Sequence, residues 1–186
     1  MTKIIGIAGS LRKSSYNAAL LRAAATLAPE GVSIEVASIA GIPLYDGDLE
    51  ASAGIPEPVA RLKDAIAAAD GLILATPEYN NSIPGVFKNA VDWLTRPAAD
   101  IPRVFGGKPV AIIGASSGNF GTILGQNGWL PVLRVLGTKP WFGGRLLVPR
   151  AQSAFDGAGM IADEALKQRL RQFIEGFAAF IGAPSS

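Results

Sequence analysis

Short aliphatic runs alternate with amphipathic segments along most of this chain, and that alternation narrows the fold more than any other feature of the sequence. Residues 3–9 (KIIGIAG), 33–39 (SIEVASI), 71–76 (GLILAT), 108–115 (KPVAIIGA) and 145–148 (RLLV) read as five strands. Each is short, aliphatic or β-branched, and bounded by Gly or Pro. Between them apolar residues recur at helical spacing: Leu20, Ala24 and Leu27; Val59, Leu62 and Ile66; Phe87, Val91 and Leu94; and, less regularly, the stretch from Thr122 to Leu136. Strand–helix alternation implies a parallel sheet with right-handed crossovers and helices on both faces. Five strands suggest a doubly wound α/β sheet of order 2-1-3-4-5, with ligands bound beyond the carboxyl ends of strands 1 and 3. The loops at 9–17, 76–85 and 115–122 should therefore converge.

The rest of the chain fits that frame. Residues 1–183 are expected to form one domain, with 184–186 (PSS) as a tail. Residues 40–57 form a long connection, and Leu166, Leu170, Phe173, Ile174, Phe177 and Ile181 mark a C-terminal helix whose solvated face carries Lys167, Arg169 and Arg171.

Composition matters most through what is missing. The 186 residues include no cysteine and no histidine, which excludes thiolate nucleophiles, disulfides and imidazole acid–base chemistry and points to no metal site. A cysteine-free chain starting directly on a strand suggests the cytoplasm. No apolar run approaches the ~20 residues of a membrane span. A net charge of +2 argues against nucleic acid as a partner, and 49% apolar content suits a sheet covered on both faces, with an oligomer contact besides.

Three loops carry the candidate chemistry. In GIAGSLRKSSYN, a Walker loop starting at Gly6 needs Gly-Lys where Leu11 and Arg12 stand, and a dinucleotide fingerprint needs glycine where Ala8 stands. What remains is a tight Gly9-Ser10 turn followed by a helix starting near Ser15. Ser10, Ser15 and Asn17 are neutral donors there, and Arg12 is a charged fork at a helix N-terminus, a set suited to a terminal phosphomonoester. The alternative is that Ser14 or Ser15 only caps the helix and Arg12 is solvated. In the second loop, Pro77 and Pro84 bracket a rigid turn presenting Glu78, Tyr79 and Asn80, which would suit the edge of a planar heteroaromatic ring. Asn80, Asn81 and Ser82 also read as ordinary turn residues, and Trp93 as core. The third loop, GASSGNFGT, combines Ser116, Ser117 and Asn119 with Gly118 and Gly121, which permit close backbone approach.

GSLRKSSYN, PEYNNSIPGVFKNAVDW and IPLYDGDLE together resemble the NADPH-dependent FMN reductases of flavodoxin-like fold, a family that includes quinone, chromate and azo-dye reductases. The resemblance runs from Lys3 to about Gly121. It implies that Ser10, Arg12, Ser15 and Asn17 hold the FMN phosphate. Pro77, Glu78, Tyr79 and Asn80 would line the isoalloxazine edge, with Ser117 and Gly118 closing the far side. It implies NADPH or NADH as hydride donor, a small-molecule electron acceptor, and assembly as a homodimer or homotetramer. Many members carry glycine where Asn81 stands, and Ser117 and Thr122 replace residues of the family's usual third loop. No reactive side chain is required, because a flavin brings its own hydride chemistry. A flavodoxin-type electron carrier and a flavin-free signalling domain are the alternatives on the same fold.

Overall fold

The structure is a computed structural model that describes residues 1–183, so the 184–186 tail lies outside the described residues. In chain order the elements are β1 (Thr2–Ala8), α1 (Tyr16–Leu27), β2 (Val32–Ala37), α2 (Gly47–Ala53), α3 (Glu57–Ala67), β3 (Gly71–Ala75), α4 (Gly85–Leu94), a 3-10 turn (Ala98–Asp100), α5 (Ile101–Val104), β4 (Pro109–Ala115), α6 (Ile123–Val135), β5 (Lys139–Pro140), β6 (Leu146–Val148), α7 (Ala151–Ala154) and α8 (Glu164–Gly182). The strands are parallel in the expected order, β2-β1-β3-β4-β5, with β6 also paired to β4. The architecture is thus α/β and flavodoxin-like.

Side-chain alternation along the strands feeds two separate cores. Ile4, Ile73 and Ile113 point to one face, against Leu20 and Leu21 of α1 and Leu170, Ile174 and Phe177 of α8. Ile5, Ile7, Leu72 and Leu74 point to the other, against Val59 and Ile66 of α3, Phe87 and Val91 of α4, and Trp129 of α6. α1 starts where Ser15 caps it and stops at Leu27, since Ala28 precedes a proline and takes extended backbone. The basic residues of α8 stay on its solvent side, where Lys167 pairs with Glu164, as expected.

Two expectations need correction. The fifth strand is broken into β5, which pairs with Pro109 and Val110, and β6, which pairs with Ile113 to Ala115. At the break the Trp141 amide still donates to Val110 O at 2.8 Å while its side chain lies on Phe173 and Phe177 of α8, with ring centroids 4.9 and 5.6 Å away. A Cβ on Gly176 would stand 2.9 Å from the Trp141 ring, so α8 is bare where the indole sits. The 40–57 connection, in turn, contains α2. Asp46 caps it, accepting from the Asp48 amide at 2.9 Å, but none of its residues is buried, so it left no apolar period to read.

Candidate functional site

Because β1, β3 and β4 are adjacent and parallel, the loops following them leave the sheet at one end. They surround a cavity of about 440 Å³. All ten candidate residues line it: Ser10, Arg12, Ser15 and Asn17 from the first loop, Pro77, Glu78, Tyr79 and Asn80 from the second, Ser117 and Gly118 from the third. Tyr16, Asn81, Ser116, Asn119, Phe120 and Gly121 line it too, beyond the expected set.

The first loop is fixed at both ends. The Gly9 amide donates to Ala75 O at 2.9 Å, which ties the loop to the end of β3. Only glycine fits at position 9, since a Cβ would stand 2.1 Å from the buried Phe87 ring. Ser15 Oγ accepts the Ala18 amide at 3.2 Å, leaving its own proton available to a ligand. Asn17 is buried, and its amide is engaged on both sides: Nδ2 donates to Ala115 O at 2.9 Å and Oδ1 accepts from Ala115 N at 2.9 Å. Its side chain therefore stitches α1 to the end of β4. Arg12 is exposed and donates to Ser14 Oγ at 3.3 Å.

The second loop turns on two left-handed residues. Tyr79 and Ser82 exchange main-chain bonds at 3.1 and 3.0 Å, with Asn80 at φ 51° and Asn81 at φ 61° between them. This is a two-residue turn with positive φ at both central positions, a geometry that favours asparagine or glycine. The turn consumes the Tyr79 and Ser82 amides and leaves those of Asn80 and Asn81 outside the pairing. The Glu78 carboxylate is turned away from any such use: Oε2 accepts from the amides of Leu124 and Gly125 at 2.8 and 2.9 Å, at the amino end of α6. That is a favourable place for a negative charge. α6 approaches this loop with a bare face, because side chains at Gly125 and Gly128 would lie 3.1 Å from Pro77 O and 3.0 Å from Ile83.

The third loop is braced from behind by the β6–α7 junction. Ser116 N donates to Val148 O at 3.0 Å, Ala151 N to Ser116 O at 3.0 Å, and Arg150 N to Gly118 O at 2.9 Å. The Arg150 guanidinium adds a bond from Nε to Asn119 Oδ1 at 3.0 Å, from a residue whose own backbone is left-handed at φ 47°. Thr122, at the end of this loop, is fully buried and takes a bond from Gln126 Nε2 at 3.2 Å, so it serves as a packing residue below the cavity. The Arg150 brace was invisible in the sequence because its partners lie 31 or 32 residues away, with no motif to join them.

Next to the site, the 40–57 connection is clamped to α4. Pro43 O accepts from Asn89 Nδ2 at 2.8 Å and Trp93 Nε1 at 2.9 Å, while the Tyr45 amide donates to Asn89 Oδ1 at 2.8 Å. Arg96 Nε and the Tyr45 hydroxyl both donate to Glu50 Oε2, at 2.8 and 3.0 Å. The Arg96 hydrogen bond, chiefly, holds the Glu50 carboxyl below the usual glutamate range.

The sequence has relatives of known description. A family model described as NADPH-dependent FMN reductase matches residues 2–153. An NAD(P)H-dependent FMN reductase of Pseudomonas aeruginosa is 44% identical over 179 residues, covering 96% of this chain and 95% of that protein. A 2-hydroxy-1,4-benzoquinone reductase of a Burkholderia species is 40% identical over 179 residues, covering 96% of each. Among solved structures, the flavoenzyme NAD(P)H:(acceptor) oxidoreductase FerB of Paracoccus denitrificans superposes with a TM-score of 0.85 at 35% identity, covering 97% of both chains.

Proposed function

This chain belongs to the NADPH-dependent FMN reductase family, and from that premise we propose that its cavity holds FMN, with the phosphate at the amino end of α1 and the ring between the second and third loops. One observation carries the assignment: the charge and donor character of the cavity wall fit that molecule. The first loop offers the Arg12 guanidinium, the Ser10 and Ser15 hydroxyls, and the first-turn amides of Tyr16 and Asn17, which have no acceptor among the described residues. The one carboxylate in the lining, Glu78, lies on the second loop, away from the first, and is engaged through Oε2 by the α6 amides.

FMN held there would supply the redox chemistry, hydride transfer between a nicotinamide and an acceptor. The chain's own residues bind and orient. Arg12, Ser10 and Ser15 hold the phosphate by charge-assisted and neutral hydrogen bonds. Asn17 acts indirectly by locking the first loop to β4, and Glu78 by locking the second loop to α6, which leaves its main chain for the ring edge. Pro77, Tyr79, Asn80, Ser117 and Gly118 complete the slot, and preorganised amides of these loops favour negative charge on the ring.

The function is oxidoreduction: NADPH or NADH is the donor, FMN the cofactor, and quinones the acceptor class. Residues 1–183 act as one unit, in the cytoplasm, as a homodimer or homotetramer. Azo dyes, chromate and free flavin are further acceptors within reach of an open ring. Among the described residues no helix is long and apolar enough to cross a membrane.

An absorbance titration tests the reading. The protein should bind added FMN, NADPH should bleach the yellow band, and 1,4-benzoquinone should restore it. A protein without FMN affinity ends the proposal. One that binds FMN but is not bleached by NADPH is a flavodoxin-type carrier instead.

A further inference from the structure

Phe120 stands at the cavity wall and yet keeps 78% of its surface exposed. A loop tip between Asn119 and Gly121 ordinarily carries a polar residue, and a large ring displayed there needs a reason. Looseness is not that reason. On one side of it, Gly118 O and Asn119 Oδ1 are both held by Arg150, at 2.9 and 3.0 Å. On the other, Gly121 O accepts the Ser116 hydroxyl, and Gly121 sits at φ 64° with only 3.1 to 3.3 Å between an added Cβ and the chain at Leu147 and Val148. The frame is set before any ligand arrives, so little ordering entropy is lost when something packs on the ring. Its place on the cavity wall argues for a ligand of that cavity over a separate partner. Tyr79, 45% exposed, is a second aromatic residue of the same wall, on a different loop.

We propose that Phe120 is a specificity-determining residue: its ring forms the wall on which the planar six-membered ring of the second substrate lies, whether nicotinamide or quinone. This rests on the FMN reading of the cavity. In the overall reaction NAD(P)H, one proton and a quinone give NAD(P)+ and a hydroquinone, with two electrons passing from nicotinamide to quinone. Phe120 makes and breaks no bond. It orients a flat ring by offset or edge contact, which a compact octahedral ion cannot use. Ferricyanide therefore separates the roles: two ferricyanide ions take the two electrons of one NAD(P)H, releasing a proton, and neither stacks.

The experiment compares wild type, Phe120→Ala and Phe120→Trp, each loaded with FMN. The NADPH KM is read with ferricyanide as acceptor, the 1,4-benzoquinone KM at saturating NADPH, and the FMN Kd by fluorescence titration of the apoprotein. Phe120→Ala should raise at least one of the two KM values about tenfold. A rise in KM larger than any accompanying rise in the FMN Kd gives the ring to the second substrate, and a rise confined to the FMN Kd overturns the proposal. Phe120→Trp should restore the KM. Unchanged KM values in Phe120→Ala with FMN still bound overturn the proposal. So does a fall in particle mass with unchanged KM values, which would give Phe120 to a contact between copies. Wild type that binds no FMN sinks the reading of the site itself, a different failure seen before any variant is made.

Discussion

Asn17 and Arg12 sit five residues apart on one loop and do opposite kinds of work. The Asn17 amide meets both the N–H and the C=O of Ala115, two buried main-chain groups at the end of β4. Asn17→Ala removes both bonds and should destabilise the fold by about 2–4 kcal/mol. That corresponds to a melting temperature lower by roughly 5–15 °C for a domain of this size. Arg12 is exposed and, among the described residues, its guanidinium bonds only to Ser14 Oγ, so Arg12→Ala should leave thermal unfolding of the apoprotein where it was. It should instead weaken FMN binding by about 1.5–3 kcal/mol, the value of a lost charge-assisted phosphate contact. Thermal unfolding and an FMN titration on both variants check the division, and an Arg12→Ala protein with undiminished FMN affinity removes Arg12 from the phosphate site. The sequence was sufficient to bring these residues to one cavity, because residue type and loop position are local properties. It was insufficient to show what their side chains hold. Asn17 meets a residue 98 positions on, and Glu78 meets amides 46 and 47 positions on, and no local pattern encodes such partners.

The same boundary between local and distant causes appears among the elements. α1, α3, α4, α6 and the first four strands were legible because each buries a periodic apolar face. α2 was not, since none of its residues is fully buried and only Leu49 packs partly against the second core; polar side chains hold it instead, Asp46 at its cap and Glu50 at its middle reaching Arg96 beyond α4. The split fifth strand was missed for a related reason, as the rings that Trp141 packs on belong to α8, some thirty residues later. The Glu50 clamp makes α2 sensitive to acid. Its carboxyl pKa is lower in the fold than the ordinary 4.5, mainly through the Arg96 hydrogen bond. Folding therefore gains from the ionised form, and the gain is complete above the unfolded value and lost as pH falls through the lowered folded value. Asp100, lowered chiefly by its bond to the buried Lys63, titrates in the same sense. Glu50→Gln should accordingly be less stable than wild type at pH 7, with the gap closing below the ordinary glutamate range. Urea unfolding at pH 7 and at pH values below 4.5 measures it, and a gap that stays constant across that range would mean that Glu50 acts through packing alone.

At the scale of the whole molecule, two buried layers account for the apolar residues of the strands and leave a remainder on the surface. Part of that remainder lies at α4. Leu44 is 80% exposed between Pro43 and Tyr45, both tied to Asn89, and Val86 lies one turn earlier on the same face of α4. This apolar patch therefore rides on the helix that leads out of the second cavity loop. Exposed apolar side chains of this kind suit a contact with a second copy of the chain, and a copy seated there would lie next to the helix that follows the second cavity loop. Light scattering should return a mass of two or four times the 19.2 kDa of one chain. Leu44→Glu, which places a charge at the centre of the patch without touching either core, should shift that mass downward. Its FMN Kd distinguishes two kinds of assembly: a rise that accompanies dissociation means the neighbouring copy helps to wall the cavity, and an unchanged value means that each copy holds its flavin alone. A wild-type particle of 19.2 kDa, or a Leu44→Glu protein of undiminished mass, would show that copies do not meet through this face of α4.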